Sequence, residues 1–334
     1  MHIDFDKVFS NGYFPSEDGR LKSLPGVKNI LVTGGAGFIG GWFVRHMVQV
    51  HGDSYVVICF DNLEYCASMN NFSVIKHLPN FHFVKGDICS AQDVERALQK
   101  YNVDAIVHFA ASSHVDNSFS DPLLFTRTNV IGTQVVLEVA RKLGSIKRFI
   151  HVSTDEVYGE NDAKTPLPSR RISAYIQPTH TRRAKLPRKW LSTRIKSQLI
   201  PRFITLLNQG KKMTIHGDGQ STRAFLFASD AAEAFDVIFH NGVDGESYNI
   251  SSENQLQVRE VAKKILKCFG RHCAQSLEHS MELVKDRPFN DSMYWTNDAK
   301  LRALGWQERT NFDEALKATV NWYCRHGEGF WQDM

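Results

Sequence analysis

The sequence predicts an α/β protein: a doubly wound parallel sheet followed by a smaller C-terminal lobe that closes over it. Three observations carry this prediction. Short apolar runs alternate with helical stretches through the first half. A glycine-rich turn joins the first run to the first helix, and the second run ends on an acid, Asp61. Parallel strands covered on both faces read as near-continuous apolar runs and need long crossover connections, which is the pattern found here.

In order, Asn29-Ile30-Leu31-Val32-Thr33 is the first strand, and residues 38–50 form the first helix. Residues 55–60 make the second strand, closed by Asp61. Residues 81–85 make the third, followed by Ser90 as a polar cap and a helix through Lys100. Residues 105–109 and 149–153 are two further strands, with an apolar-periodic helix at 130–143 between them. The second half is less regular. Helices are expected near 197–209, 228–240, 258–269 and 312–326, and short strands near 213–216 and 248–250. The chain has no internal repeat. The expected division is an extension at 1–27, a dinucleotide-binding domain at 28–165, an atypical basic segment at 166–198 and a substrate lobe at 199–330, some of whose segments return to the sheet.

Of 334 residues, 42% are hydrophobic and 23% charged, as in soluble globular proteins. No stretch approaches the roughly 20 apolar residues of a membrane span. Residues 1–28 lack the basic-then-apolar layout of a secretory signal, so the expected location is the cytoplasm. Cys59, Cys66, Cys89, Cys268, Cys273 and Cys324 show no CxxC spacing and read as reduced thiols. Cys268, His272 and Cys273 fit no standard zinc pattern, and no metal is expected. The net charge of +4 hides an asymmetry: residues 163–202 hold eleven Lys/Arg and no acid. Without them 29 basic residues face 36 acidic ones, a balance of −7, so a nucleic-acid partner is not expected.

The turn Thr33-Gly34-Gly35-Ala36-Gly37-Phe38-Ile39-Gly40 lies between a strand and a helix, where a pyrophosphate needs bare backbone and a helix N-terminus. Gly34 allows the tight bend, Gly37 lets the phosphates approach, and Gly40 lets helix and strand pack closely. Asp61 ends the next strand 27 residues after Gly34, placed to accept hydrogen bonds from an adenosine ribose. A carboxylate there repels a 2′-phosphate, so the expected cofactor is NAD rather than NADP.

This glycine spacing resembles that of the short-chain dehydrogenase/reductase class. Gly86-Asp87-Ile88 resembles the adenine-contacting turn of its extended members. His108-Phe109-Ala110-Ala111-Ser112-Ser113-His114-Val115-Asp116 resembles their fourth-strand motif, and Thr128-Asn129-Val130-Ile131-Gly132-Thr133 the helix on the nicotinamide side. The resemblance implies cofactor contacts from Gly34, Gly37, Phe38, Ile39, Gly40, Asp61, Asn62, Asp87, Ile88, Phe109, Ala110, Ala111, Ser113 and Thr128. Relatives of this class usually dimerise through a helix pair on the sheet domain, so a homodimer is expected.

His151-Val152-Ser153-Thr154-Asp155-Glu156-Val157-Tyr158-Gly159 narrows the family. Adjacent acids are ordinarily part of a solvated loop. This pair follows the fifth strand, at the carboxyl edge where open α/β sheets bind ligands, and it resembles the Thr-Asp-Glu motif of dTDP-glucose 4,6-dehydratases. That reaction oxidises the sugar at C4, which acidifies the proton at C5. Water then leaves from C5 and C6, and the hydride held by NAD returns to C6. Elimination needs a base at C5 and an acid at the C6 hydroxyl in fixed geometry. By the resemblance Glu156 is the base, Asp155 the acid, and Thr154 bonds the C4 oxygen. Asp155 must then stay protonated near neutrality, which needs a desolvated or charge-crowded site. Epimerases and decarboxylases of nucleotide sugars need no such pair and stand as the alternative enzymes.

Gly217-Asp218-Gly219-Gln220-Ser221-Thr222-Arg223, with Phe225 and Asp230, resembles the family's diphosphate-binding stretch. Asp286-Arg287-Pro288-Phe289-Asn290-Asp291 resembles its Asp-Arg-Pro motif. The implied substrate-binding residues are Ser113, Arg223 and Arg287, holding a nucleotide sugar of which dTDP-glucose is the expected one; a planar arginine fork suits a diphosphate.

The pattern breaks at one place. The class takes the sugar's hydroxyl proton with a tyrosine whose pKa is lowered by a lysine four residues later. None of the tyrosines (13, 55, 65, 101, 158, 175, 248, 294 and 323) has that lysine. Tyr175 lies nearest the expected place, but Thr179 stands four residues on and Pro178 breaks a helix there. The stretch from about 165 to 198 is foreign to the family, acid-free, and roughly 20 residues short. Residues 190–194 are a candidate stand-in for the sixth strand. Three accounts stay open: an altered exon or shifted reading frame, a non-catalytic binder of NAD or nucleotide sugar, or a divergent site using Tyr175 or another group.

Overall fold

The computed structural model describes residues 21–64, 67–112, 122–154, 199–270, 279–285 and 296–327, and the backbone of 174–177. Five strands form a parallel array: β1 (Asn29–Thr33), β2 (Val56–Asp61), β3 (Phe81–Lys85), β4 (Ala105–His108) and β5 (Arg148–Val152), in the spatial order β3-β2-β1-β4-β5. Two more strands, β6 (Ala174–Gln177) and, after the short lobe strands β7 (Met213–His216) and β8 (Thr222–Ala224), β9 (Ser247–Tyr248), complete a seven-stranded sheet beyond β5.

Side-chain alternation makes the sheet doubly wound, since successive residues of a strand point to opposite faces. Ile30, Val32, Val57, Cys59, Ala105, Val107 and Ile150 join one core, with α1 (Phe38–His51) against it. Leu31, Ile58, Phe60, Ile106 and Phe149 join the other, under α2 (Ala91–Lys100). This second face is completed by a long helical stretch: α3 (Pro122–Thr126), a π-helical segment (Arg127–Gly132) and α4 (Thr133–Leu143). The sequence predicted α4 as starting at 130; the π segment accounts for the difference. Each fully buried Ile or Val stabilises the fold by roughly 1.5–3 kcal/mol, so two filled faces explain why nearly all the strand interiors are apolar.

The lobe has its own core of Phe203, Ile204, Leu207, Ile215, Val261, Ile265, Leu316 and Val320. It is drawn from α5 (Leu199–Asn208), β7, α7 (Val258–Cys268) and α9 (Phe312–His326). β8 pairs with β10 (Gln255–Gln257), and β7 with β11 (Met281–Val284). Between the lobe's strands, α6 (Ala228–Asn241) crosses back and packs on α1, and β9 returns to the sheet. α8 (Ala299–Arg302) leads into the buried Trp306. Ahead of β1, Leu21 and Leu24 pack on the sheet core. Among the described residues no helix is long and apolar enough to cross a membrane.

The sixth strand departs from expectation. Residues 190–194 lie outside the described residues, and the place beside β5 belongs to β6, which runs antiparallel to β5. The 21 residues between Val152 and Ala174 exceed the dozen that a parallel crossover needs, so connection length does not dictate the antiparallel direction. Pro178 directly after the strand favours extended backbone at Gln177, consistent with a strand ending there.

Candidate active site

The glycine turn is built to leave backbone bare. Gly34 has φ +65°, and a Cβ placed on it would lie 2.6 Å from the Ala110 nitrogen. A Cβ on Gly40 would collide with the Gly34 carbonyl oxygen and sit 3.0 Å from Gly35 Cα. Gly37 is the N-cap of α1 and carries no side-chain cap, so the first amides of the helix remain available to an anionic group. The turn is pinned on its far side. Ser68 N and Asn71 Nδ2 both donate to the Ala36 carbonyl, at 3.0 and 2.9 Å. These features fit a dinucleotide pyrophosphate.

Asp61 ends β2 and is buried, 7% exposed. Its Oδ2 accepts from Ala36 N at 3.0 Å and its Oδ1 from Leu63 N at 2.8 Å, which fixes the carboxylate beside the turn. Burial pushes its pKa up, and these two amides oppose that. Asn62 bonds Glu64 through both its amide atoms. In the adenine-side turn Asp87 Oδ1 accepts from Cys89 N at 2.8 Å. Ile88 is buried against Gly132, whose absent side chain makes the room: a Cβ there would meet Ile88 Cδ1 at 2.6 Å.

Beneath the turn a buried chain of hydrogen bonds links three elements. Thr133 gives its hydroxyl proton to the Asn129 carbonyl (2.8 Å) and so accepts from His108 Nε2 (3.0 Å). His108 Nδ1 then accepts from the Thr33 hydroxyl at 2.7 Å. Burial, with His151 stacked alongside at 5.4 Å, lowers the His108 pKa to about 3, and burial lowers that of His151 to about 4. Both rings are neutral near pH 7. Asn129 also clasps Ser112 by two backbone contacts of 2.7 and 2.8 Å. Phe109 packs edge-on to Phe235 and tilted against Phe43; Ala110 is half-buried, Ala111 exposed, and Thr128 half-buried in the π segment.

A cavity of about 610 Å³ opens between α1, the end of β5 and the lobe. Phe38 and Ile39 from the glycine turn line it together with Val152 and Ser153, and with Phe225 and Phe227 of the lobe. Thr154 follows directly and is buried. Asp155, Glu156, Ser113 and Arg287 lie outside the described residues. Arg223 sits on β8, next to the wall formed by Ala224 and Phe225, and its Nη1 donates to Thr222 O at 2.8 Å. Asp230 has a structural part: its two oxygens accept from Thr310 N and Thr310 Oγ1, at 3.1 and 3.0 Å. Tyr175 is on β6 opposite His151, in a strand rather than a helix. Residues four apart are about 6 Å from each other on a helix but about 13 Å along a strand, so the family's tyrosine–lysine spacing belongs to a helix and not to a strand.

The sequence reading missed Arg45 and Asn71, and saw Asn129 only as a member of the Thr128–Thr133 motif. Arg45 lines the cavity, 4.0 Å over the Trp42 ring, and burial lowers its pKa to about 10. A charge three residues from a tryptophan on an apolar helix was its only signal. Asn71 had none, since it acts from an irregular stretch.

A bare glycine turn, a buried carboxylate closing β2 and a neutral imidazole network below them place this chain in the extended short-chain dehydrogenase/reductase class of NAD-binding proteins. The model of the GDP-mannose 4,6 dehydratase family matches residues 31–175 and 187–319, and the chain belongs to that family. It is 41% identical over 331 residues to the trifunctional UDP-glucose 4,6-dehydratase/UDP-4-keto-6-deoxy-D-glucose 3,5-epimerase/UDP-4-keto-L-rhamnose-reductase of Arabidopsis thaliana, covering 92% of this chain and 48% of that protein. The chain thus spans about half the length of the plant relatives it matches. It is 35% identical over 322 residues to the human dTDP-D-glucose 4,6-dehydratase, covering 90% and 91%. The dTDP-glucose 4,6-dehydratase of Streptomyces venezuelae, solved with NAD bound, superposes with a TM-score of 0.76 at 32% identity over 91% of this chain and 99% of that one.

Proposed function

We propose that the chain binds NAD and a pyrimidine-nucleotide-linked glucose and is built for 4,6-dehydration. The observation carrying this reading is the meeting of the glycine turn's Phe38 and Ile39 with the end of β5 in one cavity. NAD, when bound, supplies the hydride acceptor and donor. Gly34, Gly37 and Gly40 admit the pyrophosphate, and Asp61 takes the adenosine ribose. Thr154 holds the C4 oxygen, Asp155 protonates the leaving C6 hydroxyl, and Glu156 removes the C5 proton. Arg223 and Arg287 hold the diphosphate, with Ser113 beside the sugar. The sequence reading favours dTDP-glucose; the 41% identity to the plant UDP-glucose enzymes supports UDP-glucose as its competitor. The cytoplasm and a homodimer complete the proposal.

The second reading is a binding protein without turnover. It is favoured by β6, an antiparallel strand carrying Tyr175 where the family would supply a helical Tyr-x-x-x-Lys. Transcript sequencing across codons 160–200, paired with an assay of the chain as written on dTDP-glucose and UDP-glucose, separates the two. Formation of a 4-keto-6-deoxy sugar supports dehydration by this chain. A longer transcript encoding Tyr-x-x-x-Lys assigns dehydration to that product. NAD binding without turnover, from a sole transcript, establishes the binding protein. Inversion at C4 alone would replace dehydration with epimerisation.

A further inference from the structure

Four buried side chains between α1 and α6 form a cluster that neither NAD nor the sugar uses. α1 contributes His46 and His51; α6 contributes Asp236 and His240, one turn apart. They are 3%, 4%, 5% and 8% exposed. His46 Nε2 lies 2.7 Å from Asp236 Oδ2, and His51 Nε2 lies 3.0 Å from each carboxylate oxygen. His240 Nδ1 faces Asp236 Oδ1 at 2.8 Å and the Asp236 carbonyl at 3.0 Å. Both of those groups only accept, so Nδ1 of His240 carries a proton. Its Nε2 pairs with the Tyr55 hydroxyl at 2.9 Å, and Leu24 N donates to that hydroxyl at 2.7 Å.

Burial would raise the Asp236 carboxyl, but the imidazoles of His46, His240 and His51 more than reverse it and hold it well below the usual range. A buried carboxylate ringed by three buried imidazoles is a donor set that either pairs internally or coordinates a metal ion.

We propose that His46, His51 and Asp236 bind one divalent transition-metal ion, zinc in the first instance, as a structural clasp between α1 and α6. Their three donor atoms lie within 4.8 Å of one another. Two imidazole nitrogens and a carboxylate oxygen suit zinc, with bonds of about 2.0–2.2 Å. Such bonds put neighbouring donors roughly 3.3 Å apart, so the His46–Asp236 and His51–Asp236 separations of 2.7 and 3.0 Å would widen by a few tenths of an ångström around the ion. His240, anchored through Tyr55, orients the carboxylate from behind, the supporting role that metal-binding carboxylates ordinarily require. The two helices lie 190 residues apart at His46 and Asp236, so the donor set exists only once they dock, and ion binding adds to folding.

The test uses the full chain with any affinity tag removed. Elemental analysis after dialysis is expected to find one zinc per chain. Zinc returned to chelator-treated protein at about a hundredfold excess over its Kd should raise the unfolding midpoint by roughly 5 °C. Cobalt substitution should give ligand-field absorption in the visible. His46→Gln keeps a donor for Asp236 but is a poor ligand; it should fold, bind NAD as before, and lose both the zinc and the cobalt bands. Metal-free protein whose midpoint ignores zinc overturns the proposal. So does a cluster whose stability responds to pH but to no metal, which would make a proton its cation.

Discussion

The two halves of the sheet's carboxyl edge differ in how they are made. The cofactor side, from β2 to β4, is assembled from neighbours in sequence. β1 and β2 pair over five residues, the glycines fill spaces only glycine can, and the Asp61 carboxylate is tied to two amides. The chemical side, at β5 and β6, depends on a segment that returns from far away. There β6 pairs over four residues with β5 and two with β9, both antiparallel. Holding NAD and turning over a sugar are thus separable properties. The first is local, and the second, in the family's form, rests on a Tyr-x-x-x-Lys pair that this sequence does not contain.

The largest effect expected is on turnover. Replacing residues 165–198 with a family segment that carries a helical Tyr-x-x-x-Lys should raise dehydratase turnover by about 10²–10⁴-fold, read as keto-sugar formation, with NAD affinity unchanged. An equal rate before and after would erase the contrast between the two sides. Next, Gly40→Ala should cut NAD affinity by about 100-fold and cost roughly 1–3 kcal/mol, because its Cβ meets the Gly34 carbonyl. Calorimetric titration and denaturant unfolding measure both.

A third test uses pH. His108 and His151 have folded pKa values of about 3 and about 4, below the usual 6.5. The unfolded chain therefore binds more protons between those values and 6.5. Stability should be full above 6.5 and fall as pH drops, by about 2 kcal/mol for each ring at pH 5. In His151→Phe the slope of unfolding free energy against pH should be roughly halved. The smallest effect expected is Ser90→Ala, which removes the oxygen capping α2 at Asp93 N. It should cost about 1 kcal/mol in chemical unfolding and leave NAD titration untouched.

The central strands of the first half were legible because burial on both faces forces apolar runs: β1 begins and ends where its run places it, as do the edge strand β3 and the lobe strand β7. The glycine turn was legible because steric requirements there admit one residue type. β6 was not. Residues 165–198 show no period of 2 or 3.6, and a four-residue strand gains its stability from partners, not from its own composition. Asn71, and the clasp of Asn129 on Ser112, were invisible for a related reason. An amide that satisfies backbone groups across 35 or 17 residues leaves no trace in local spacing. The His46–His51–Asp236 cluster was equally hidden, because its halves sit in two helices that read as ordinary amphipathic segments.

The π-helical segment Arg127–Gly132 has a further consequence. A wide turn accommodates one residue more than the α-helix would, and each residue of an α-helix advances the direction of its side chains by about 100°. Deleting a single residue there would regularise the helix and swing everything on one side of the cut through that angle. Asn129 would release Ser112, or Gly132 would turn away from Ile88, and a bulkier neighbour would face the adenine-side turn. The irregular turn thus works as a spacer, keeping two separate contacts of one helix in phase with a sheet edge they approach from different directions.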